Sequence, residues 1–478
     1  MRDKGKILGF IDAKAGVFTG LSDRIWELAE VRFSLKGSAD ALCETLKNEG
    51  FTVERGAAGM AHAFTASFGS GSPVIGILGE YDALPGLSQV AGAAEKKDIL
   101  PGGAGHGCGH HLLGAGSLAG AVGIKDYMKE TGLPGKIIYF GCPAEEAGSG
   151  KAFMARAGLF TGIDGFVTWH PMTETGIWGV SSLANYQVYF GFTGVASHAA
   201  AAPEYGRSAL DAAELMNVGV NYLREHVIQE ARIHYAYTDV GGKAPNVVQP
   251  SAELLYYIRA PKTSQARGIF ERIFDIAKGA ALMTGTAMKM RWDSYCAEYL
   301  VNDALGKAMY ANLLAVGANS YTQEERSFAQ RFVDGLPESA RQGIPGKVAK
   351  LFQNEKPERI AEIAGQSIIG DIMPYSMSGS VMPGSTDVGD ASWHAPAVQL
   401  FTACFPAGTV AHSWQFVACG CSSMAHKGML QAGKVIALTV LDMLENPSLL
   451  AEAKAEHIRR LAGETYQSPF PPELVPEE

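Results

Sequence analysis

The amino-acid sequence predicts an α/β protein whose catalytic domain holds a mostly parallel sheet between helices and is interrupted by a ferredoxin-like βαββαβ unit. Three observations carry that reading. From Ser72 to His170, short apolar runs of β-rich composition alternate with longer segments of helical spacing, the order expected of a parallel sheet. Between 185 and 297 the order becomes strand, helix, two strands, helix and strand, which is the split βαββαβ unit. The chain then returns to the first pattern, so the catalytic domain is read as discontinuous, 1–184 and 298–478, around an insertion at 185–297. A length of 478 residues agrees, because it exceeds what one hydrophobic core usually holds.

Each element has a local reason. SPVIGILGEYDALPG, beginning at Ser72, is a buried strand that ends at Glu80-Tyr81-Asp82 and is broken by Pro85. LPGGAGHGCGHH is a Gly-rich loop, and LLGAGSLAGAVGIKDYMKE after it is a buried helix rich in small residues. GKIIYFGCPAEE and DGFVTWH are further short β-rich runs with acids or a histidine at the carboxyl end. In the insertion, NYQVYFGFTG is a strand and RSALDAAELMNVGVNYLREHV an amphipathic helix. IHYAYTDVGG and SAELLYYIRA are strands around a turn, SQARGIFERIFDIAKGAALMTG is the second helix, and AMKMRWDSYCAEY is the last strand. VQLFTACFPAG and the helix AHKGMLQAGKVIALTVLDML close the catalytic domain. The stretch from Val301 to Gly379 is polar, helical in texture and has no place in this scheme.

Asp82, the pair Glu145-Glu146, His170 and His412 each follow an apolar run, and the carboxyl ends of strands in an open α/β sheet are where ligands bind. Cys108-Gly109-His110 adds a thiol and an imidazole able to face one ion, with a glycine that lets the backbone come close. Taken alone, that triplet describes inert packing better than ligation. The acidic pair is more telling. Neighbouring side chains of an extended segment diverge, so one carboxylate can ligate while the other reaches a water; a solvated turn is the plainer reading, but this pair ends the core run IIYFGCPA. With His170 and His412 the donors are one thiolate, three imidazoles and one carboxylate. That set exceeds a single tetrahedral site and suits two ions about 3.5–4 Å apart, with Cys108 as the bridge. Asp82 is the acid to which a ligating imidazole donates its other nitrogen. The expected cofactors are two divalent metal ions, zinc or manganese.

Hydrophobic residues at 47% and charged residues at 19% are ordinary for a soluble globular protein. A net charge of -9 gives no electrostatic footprint for nucleic acid or an anionic membrane. The start has no apolar stretch of signal-peptide length, and no run of about 18 apolar residues occurs, so a cytoplasmic location is expected. Seven cysteines fit reduced thiols or metal ligation better than a disulfide framework. Cys419 and Cys421 read as buried thiols beside the closing helix, and His426 and Lys427 as residues that pack or cap it. Asp387 and Asp390, in GSTDVGDASW, read as shaping a pocket through turn hydrogen bonds.

These residues resemble those of the aminoacylase and carboxypeptidase-type metallopeptidases, in their amidohydrolase branch. The resemblance runs nearly end to end, through LGEYDALPG, GHGCGHHLLG, GCPAEEAGSGK, TWHP, ASHAAAAPEYGRSALDA, PNVVQ, GSTDVGDASW and AHKGML. It implies that Cys108, His110, Glu146, His170 and His412 are metal ligands, that Glu145 is the general base, and that Asp82 orients a histidine. It also makes the insertion a lid and dimerisation domain. Two positions depart. Glu80 stands where the broader family has a metal-binding histidine, so Cys108 supplies that contact, as it does in this branch. His111 stands where the branch commonly has aspartate or asparagine, and is either a hydrogen-bonding group behind the ligands or an extra ligand. In the insertion, the resemblance points to His198 for oxyanion stabilisation and to Arg259 and Asn246 for a substrate carboxylate, which an arginine fork suits. From the residues alone, Arg259 reads equally well as a surface ion pair and Asn246 as a turn residue.

The implied reaction is metal-dependent hydrolysis of the amide bond of an N-acyl amino acid, with an aroyl-glutamate such as p-aminobenzoyl-glutamate as the expected substrate. Glu145 would take a proton from a water activated by the cations and pass it to the departing amine. A dipeptidase or another N-acyl-amino-acid amidohydrolase is the alternative within the class, and a noncatalytic partner subunit of a related hydrolase is the alternative outside it. The expected partners are the small-molecule substrate and a second chain, as a homodimer or a heteromer with a related subunit, with no nucleic acid and no membrane.

Overall fold

The computed structural model describes residues 4–476. Its strands are β1 (Thr52–Arg55), β2 (Phe64–Ser70), β3 (Val74–Glu80), β4 (Gly135–Cys142), β5 (Gly165–Met172), β6 (Gly176–Ile177), β7 (Ala184–Thr193), β8 (Arg232–Asp239), β9 (Ser251–Ala260), β10 (Ala287–Cys296) and β11 (Ala397–Ala403). One sheet has the order β1-β2-β4-β3-β5-β11-β6, and a second has the order β10-β7-β9-β8. The centre of the first sheet is parallel, β3 pairing with β4 and β5, and β5 with β11. Antiparallel pairs, β1 with β2, β2 with β4 and β11 with β6, finish its edges.

Covering on both faces explains why the central strands read as unbroken apolar runs. Ile75, Ile77 and Leu78 of β3 and Phe166, Val167 and Trp169 of β5 are fully buried, as parallel strands between helices must be. Parallel registry also brings the carboxyl ends level: Glu80 sits opposite Cys142, and His170 opposite Phe401. The loops that leave those ends start from one line.

The helix His110–Thr131 lies against this sheet and packs along the helix Ser423–Glu445. Small residues make that approach possible. A Cβ on Gly120 would lie 2.6 Å from the Ile436 side chain and 3.0 Å from the Gly433 carbonyl oxygen, which is why the helix is so rich in glycine and alanine.

The second sheet comes from the βαββαβ segment, antiparallel throughout. Its helices, Ala209–Leu223 and Thr263–Thr284, pack on one another and against β7 and β9. Along β9 buried and half-buried residues alternate strictly, as expected of a strand with one covered face. Ser208 caps the first helix by accepting from the Asp211 N–H, and Gly285 ends the second in the left-handed region.

The stretch without a place in the sequence scheme holds four helices, Asp303–Val316, Gln323–Asp334, Glu338–Leu351 and Pro357–Ala364. A capping box of Thr322 and Glu325 starts the second. Leu336, Ile344, Val348, Phe352 and Ile363 gather in a small separate core. Glu338–Leu351 buries only Ile344 and Val348, too little apolar periodicity to define an element from sequence. No helix among the described residues is long and apolar enough to cross a membrane.

Close helix approach gives a direct test. Gly120→Ala should lower the unfolding free energy by about 1–3 kcal/mol through overpacking against Ile436, read by urea denaturation; an unchanged midpoint would show that the two helices can part freely.

Candidate metal centre

Three loops, one helix start and one strand end converge where the parallel strands finish. Asp82 lies just past β3, Cys108 lies in the loop before the helix His110–Thr131, and His110 opens that helix. Glu145 and Glu146 follow β4, His170 is within β5, and His412 follows β11. Asp82 joins two of these segments. Its Oδ1 accepts a hydrogen bond from His110 Nδ1 at 2.9 Å, and its Oδ2 accepts the Glu146 N–H at 3.0 Å. With Nδ1 committed, His110 Nε2 faces carboxylates, at 3.3 Å from Glu80, 3.9 Å from Glu145 and 4.0 Å from Glu146. It is buried without a hydrogen-bond partner, and so is Glu146 Oε1.

His170 Nδ1 donates to the Pro171 carbonyl at 3.0 Å, leaving Nε2 3.4 Å from the Cys108 sulfur. His412 Nε2 lies 3.4 Å from Glu146, and its side chain is 55% exposed, at the open side of the site. Its backbone is left-handed, with φ 61°, and its N–H is held by the Gly107 carbonyl at 2.7 Å. Ala144, just before the acidic pair, is also left-handed at φ 58°. Such conformations cost a non-glycine residue about 1–2 kcal/mol and cluster where a side chain must be aimed.

The donor atoms fall into three overlapping groups, each within 4.8 Å: Cys108, His110 and His170; Cys108, Glu146 and His412; and Glu80, His110 and Glu145. Thiolate, imidazole and carboxylate together suit divalent ions such as zinc. The orphaned Nε2 of His110 and Oε1 of Glu146 are the atoms a cation would satisfy. Residues and ions therefore fit.

Electrostatics point the same way. Burial, then the neighbouring Glu80 and Glu146, raises the Glu145 carboxyl well above the usual carboxylate range. Burial also raises the Cys108 thiol, and Glu146 raises it further. Burial alone would lower the His110 imidazole, but the Cys108 sulfur and the Asp82 carboxylate raise it well above its ordinary value. His170 is pushed down to about 4 by burial and by His110. Protein groups alone leave this cluster short of positive charge.

One internal cation was not anticipated from the sequence. Lys151 is fully buried and its Nζ pairs with Glu80 at 2.6 Å and Asp387 at 2.5 Å, while its N–H donates to Asp387 Oδ2 at 2.9 Å. Burial would lower the ammonium, but Asp387 and Glu80 raise it well above its ordinary value. Glu80 shifts downward because Lys151 and His110 outweigh its burial. The only signal was a lysine inside the apolar run GSGKAFMARAG. Asp387 and Asp390 are correspondingly not turn residues: Asp387 holds Lys151, and Asp390 accepts from Tyr466 Oη at 2.7 Å and the Ala297 N–H at 3.4 Å. Both are fully buried, and burial forces them to find distant partners.

His111 takes neither role left open for it. It is buried, packs its ring 4.8 Å from that of His106, and lies outside the donor groups. The segments that carry His198 and Asn246 run beside one another. His198 pairs with Val247 in a short bridge, the Ala199 N–H donates to the Asn246 carbonyl at 3.0 Å, and both residues are exposed. Arg259, in β9, reaches the Pro383 carbonyl at 3.4 Å, and its Nε is buried without a partner. No hydrogen bond among the described residues joins these three to the donor groups.

Fold and donor set together define a metal-dependent hydrolase of amide bonds. A family model described as the peptidase dimerisation domain matches residues 179–283. One of the subunits of p-aminobenzoyl-glutamate hydrolase from Escherichia coli K12 is 43% identical over 473 residues, 98% of this chain and 97% of that protein. The Xaa-Arg dipeptidase of Mus musculus is 28% identical over 394 residues, covering 82% of this chain and 74% of its own. The solved structure of a dinuclear metal-binding peptidase of the M20 family from Bacillus subtilis superposes with a TM-score of 0.53 at 16% identity, covering 90% of this chain and 99% of that one. The chain belongs to the M20 family of metallopeptidases and amidohydrolases.

Two outcomes follow from the geometry. Asp82→Ala frees the His110 ring and should weaken metal binding about 10–100-fold, measured by competition with a chelating dye; unaltered affinity would remove Asp82 from the centre. Lys151→Met leaves Glu80 and Asp387 buried without their cation and should cost about 3–5 kcal/mol of stability, measured by chemical denaturation, whereas a neutral effect would mean that both acids bury protonated.

Proposed function

We propose that this chain hydrolyses the amide bond of p-aminobenzoyl-glutamate to p-aminobenzoate and glutamate. The observation that carries the reading is the gathering of Cys108, His110, His170, Glu146 and His412 donor atoms around one sulfur, in a chain 43% identical along 98% of its length to part of a hydrolase named for that substrate. Cys108, His110, Glu146, His170 and His412 would hold two divalent ions, zinc or manganese. When bound, these ions would polarise the amide carbonyl and acidify a water.

The rest is the work of side chains. Asp82 keeps Nδ1 of His110 protonated, so that Nε2 is the free donor. Glu145 is the general base: it takes a proton from the attacking water and returns it to the departing amine nitrogen. Burial and two flanking acids, Glu80 and Glu146, raise the pKa of its carboxyl, which suits a group that must hold a proton between taking it and giving it back. His198 would donate to the developing oxyanion, and Arg259 and Asn246 would grip the glutamate carboxylate. These three sit on segment 185–297, which would act as a lid and dimerisation domain over a discontinuous catalytic domain of 1–184 and 298–478. The match to a dimerisation domain supports a second chain, and a relative that is itself one member of a multi-subunit hydrolase supports a heteromer with a related subunit as well as a homodimer. Seven cysteines without a disulfide support a reducing, cytoplasmic location.

A dipeptidase is the second reading, favoured by the likeness to an Xaa-Arg dipeptidase. Purified alone with added manganese or zinc, the chain should cleave p-aminobenzoyl-glutamate, and Glu145→Ala should lower kcat by about 10²–10⁴-fold with the metal content unchanged. Full turnover by that variant would refute the base; cleavage of dipeptides ending in arginine but not of the aroyl-glutamate would favour the second reading; and activity arising only on mixing with a related chain would mark a partner subunit.

A further inference from the structure

The inserted βαββαβ segment joins the rest of the chain through two adjacent crossings, outward near Ser182 and back near Tyr299. The crossings are bonded to one another: the Tyr299 N–H donates to Ser182 Oγ at 3.1 Å, and Ser181 Oγ donates to the Tyr299 carbonyl at 2.8 Å. The returning crossing also lies along the short helix Val388–Ser392. Asp390 accepts the Ala297 N–H, Ser392 Oγ accepts the Leu300 N–H at 2.9 Å, and Trp393 Nε1 donates to the Glu298 carbonyl at 3.2 Å. Two single crossings side by side form a hinge, because a few residues can absorb the rotation of a whole unit. Space for that rotation exists. Cavities of about 230 Å³ and about 320 Å³ adjoin Trp393, the first reaching Thr263 and Tyr295 of the insertion and the second reaching Ser181 and Leu300 of the crossings, whereas a packed interior leaves few voids larger than a water molecule.

A third piece of chain bridges the two units. Residues 463–476 follow the helix Pro447–Leu461 and form neither helix nor strand. Phe470 is the centre of this segment and is 3% exposed. Its ring stacks on Phe153 of the helix Gly150–Arg156, in the catalytic domain, at 4.7 Å, and meets Trp292 and Tyr295 of β10, in the insertion, edge-on at 5.8 and 6.0 Å. On either side of that ring the segment is tied down. Towards the catalytic domain, Tyr466 Oη donates to Asp390 at 2.7 Å, and the Arg156 guanidinium donates to the Pro471 and Leu474 carbonyls at 2.6 and 2.8 Å. Towards the insertion, Arg267 donates to Gln467 Oε1 at 2.7 Å. Pro469, Pro471 and Pro472 flank the ring, and their fixed φ lowers the entropy lost when the segment orders. A chain end that only covered a surface would need one unit. Here a single buried ring needs both, and Asp390 serves the segment and the hinge together.

We propose that residues 463–476 are a strap that sets the angle between the insertion and the catalytic domain: Phe470 and Arg156 hold it across the hinge, and its release frees the insertion to turn about the crossings at Ser182 and Tyr299. His198, Asn246 and Arg259 ride on the insertion, so the strap would also fix where those groups stand. That consequence rests on the lid reading above, and the strap itself does not.

Hydrogen exchange of the full chain, read by mass spectrometry, tests the strap with no turnover required. The Ala297, Tyr299 and Leu300 amides are held by Asp390, Ser182 and Ser392, so they exchange when the returning crossing leaves those partners and thereby report the hinge. In Phe470→Ala, residues 297–301 should exchange about 10-fold faster or more than in the wild type, while the loop that carries Cys108 exchanges as before. Faster exchange confined to residues 463–476 would overturn the proposal. If Phe470→Ala raises exchange throughout the chain, Arg156→Gln, which keeps the buried ring and releases the two carbonyls, decides by the same criterion. On an acyl-glutamate substrate, the variant that loosens the hinge should raise KM about 10-fold with metal content unchanged. A loosened hinge with unaltered KM would leave the strap standing and refute the lid reading. If the wild type cleaves no acyl-glutamate, exchange alone still decides the strap.

Discussion

One carboxylate organises the centre. Asp82 is fully buried and takes a hydrogen bond from each of two otherwise independent segments, the His110 ring at the start of a helix and the Glu146 backbone after β4. An ionised acceptor deprived of its donors in such a place costs several kcal/mol, so both segments must arrive for either to be stable. The parallel sheet makes this possible by bringing the carboxyl ends of β3, β4 and β5 level. Stability and function meet there, because one of these bonds decides which nitrogen of His110 remains free and the other holds the backbone that carries the Glu146 carboxylate.

The second constraint is charge. Glu80, Asp82, Glu145, Glu146 and Asp387 crowd one buried region, and Lys151 neutralises only part of them. Burying that many acids is unfavourable unless each meets a cation or a proton. Lys151 secures Glu80 and Asp387, and the donors left over, His110 Nε2 and Glu146 Oε1, have no hydrogen-bond partner among the described residues. A site of this kind is completed by metal, and its geometry is fixed in advance by hydrogen bonds that the metal does not make.

How much of this was legible in the sequence depended on whether the signal was local. Strands β3, β4 and β5 announce themselves as apolar runs because both faces are covered, and the βαββαβ order follows from a half-covered sheet with period-two alternation along β9. Glu146, His170 and His412 could be grouped because strand ends in an α/β sheet share one crevice, and Cys108 and His110 because a thiol and an imidazole two residues apart can face one ion. The Lys151 triad could not, since Glu80, Lys151 and Asp387 are brought together only by packing and nothing in their spacing ties them. For the same reason Asp387 and Asp390 were mistaken for turn residues. The four helices between Asp303 and Ala364 stayed unplaced because helices such as Glu338–Leu351 bury too few apolar side chains to show a period. Trp178, whose ring meets that of His170 edge-on at 6.5 Å, has no motif at all.

The proposed activity depends on a thiolate-containing binuclear centre. Titration of the metal-free chain with cobalt(II), followed by absorption, reads both features at once: ion stoichiometry from the end point and sulfur ligation from a near-ultraviolet charge-transfer band. Two equivalents per chain, with a band that disappears in Cys108→Ser, is the expected result. A single equivalent, or a band that survives the loss of that sulfur, would contradict it.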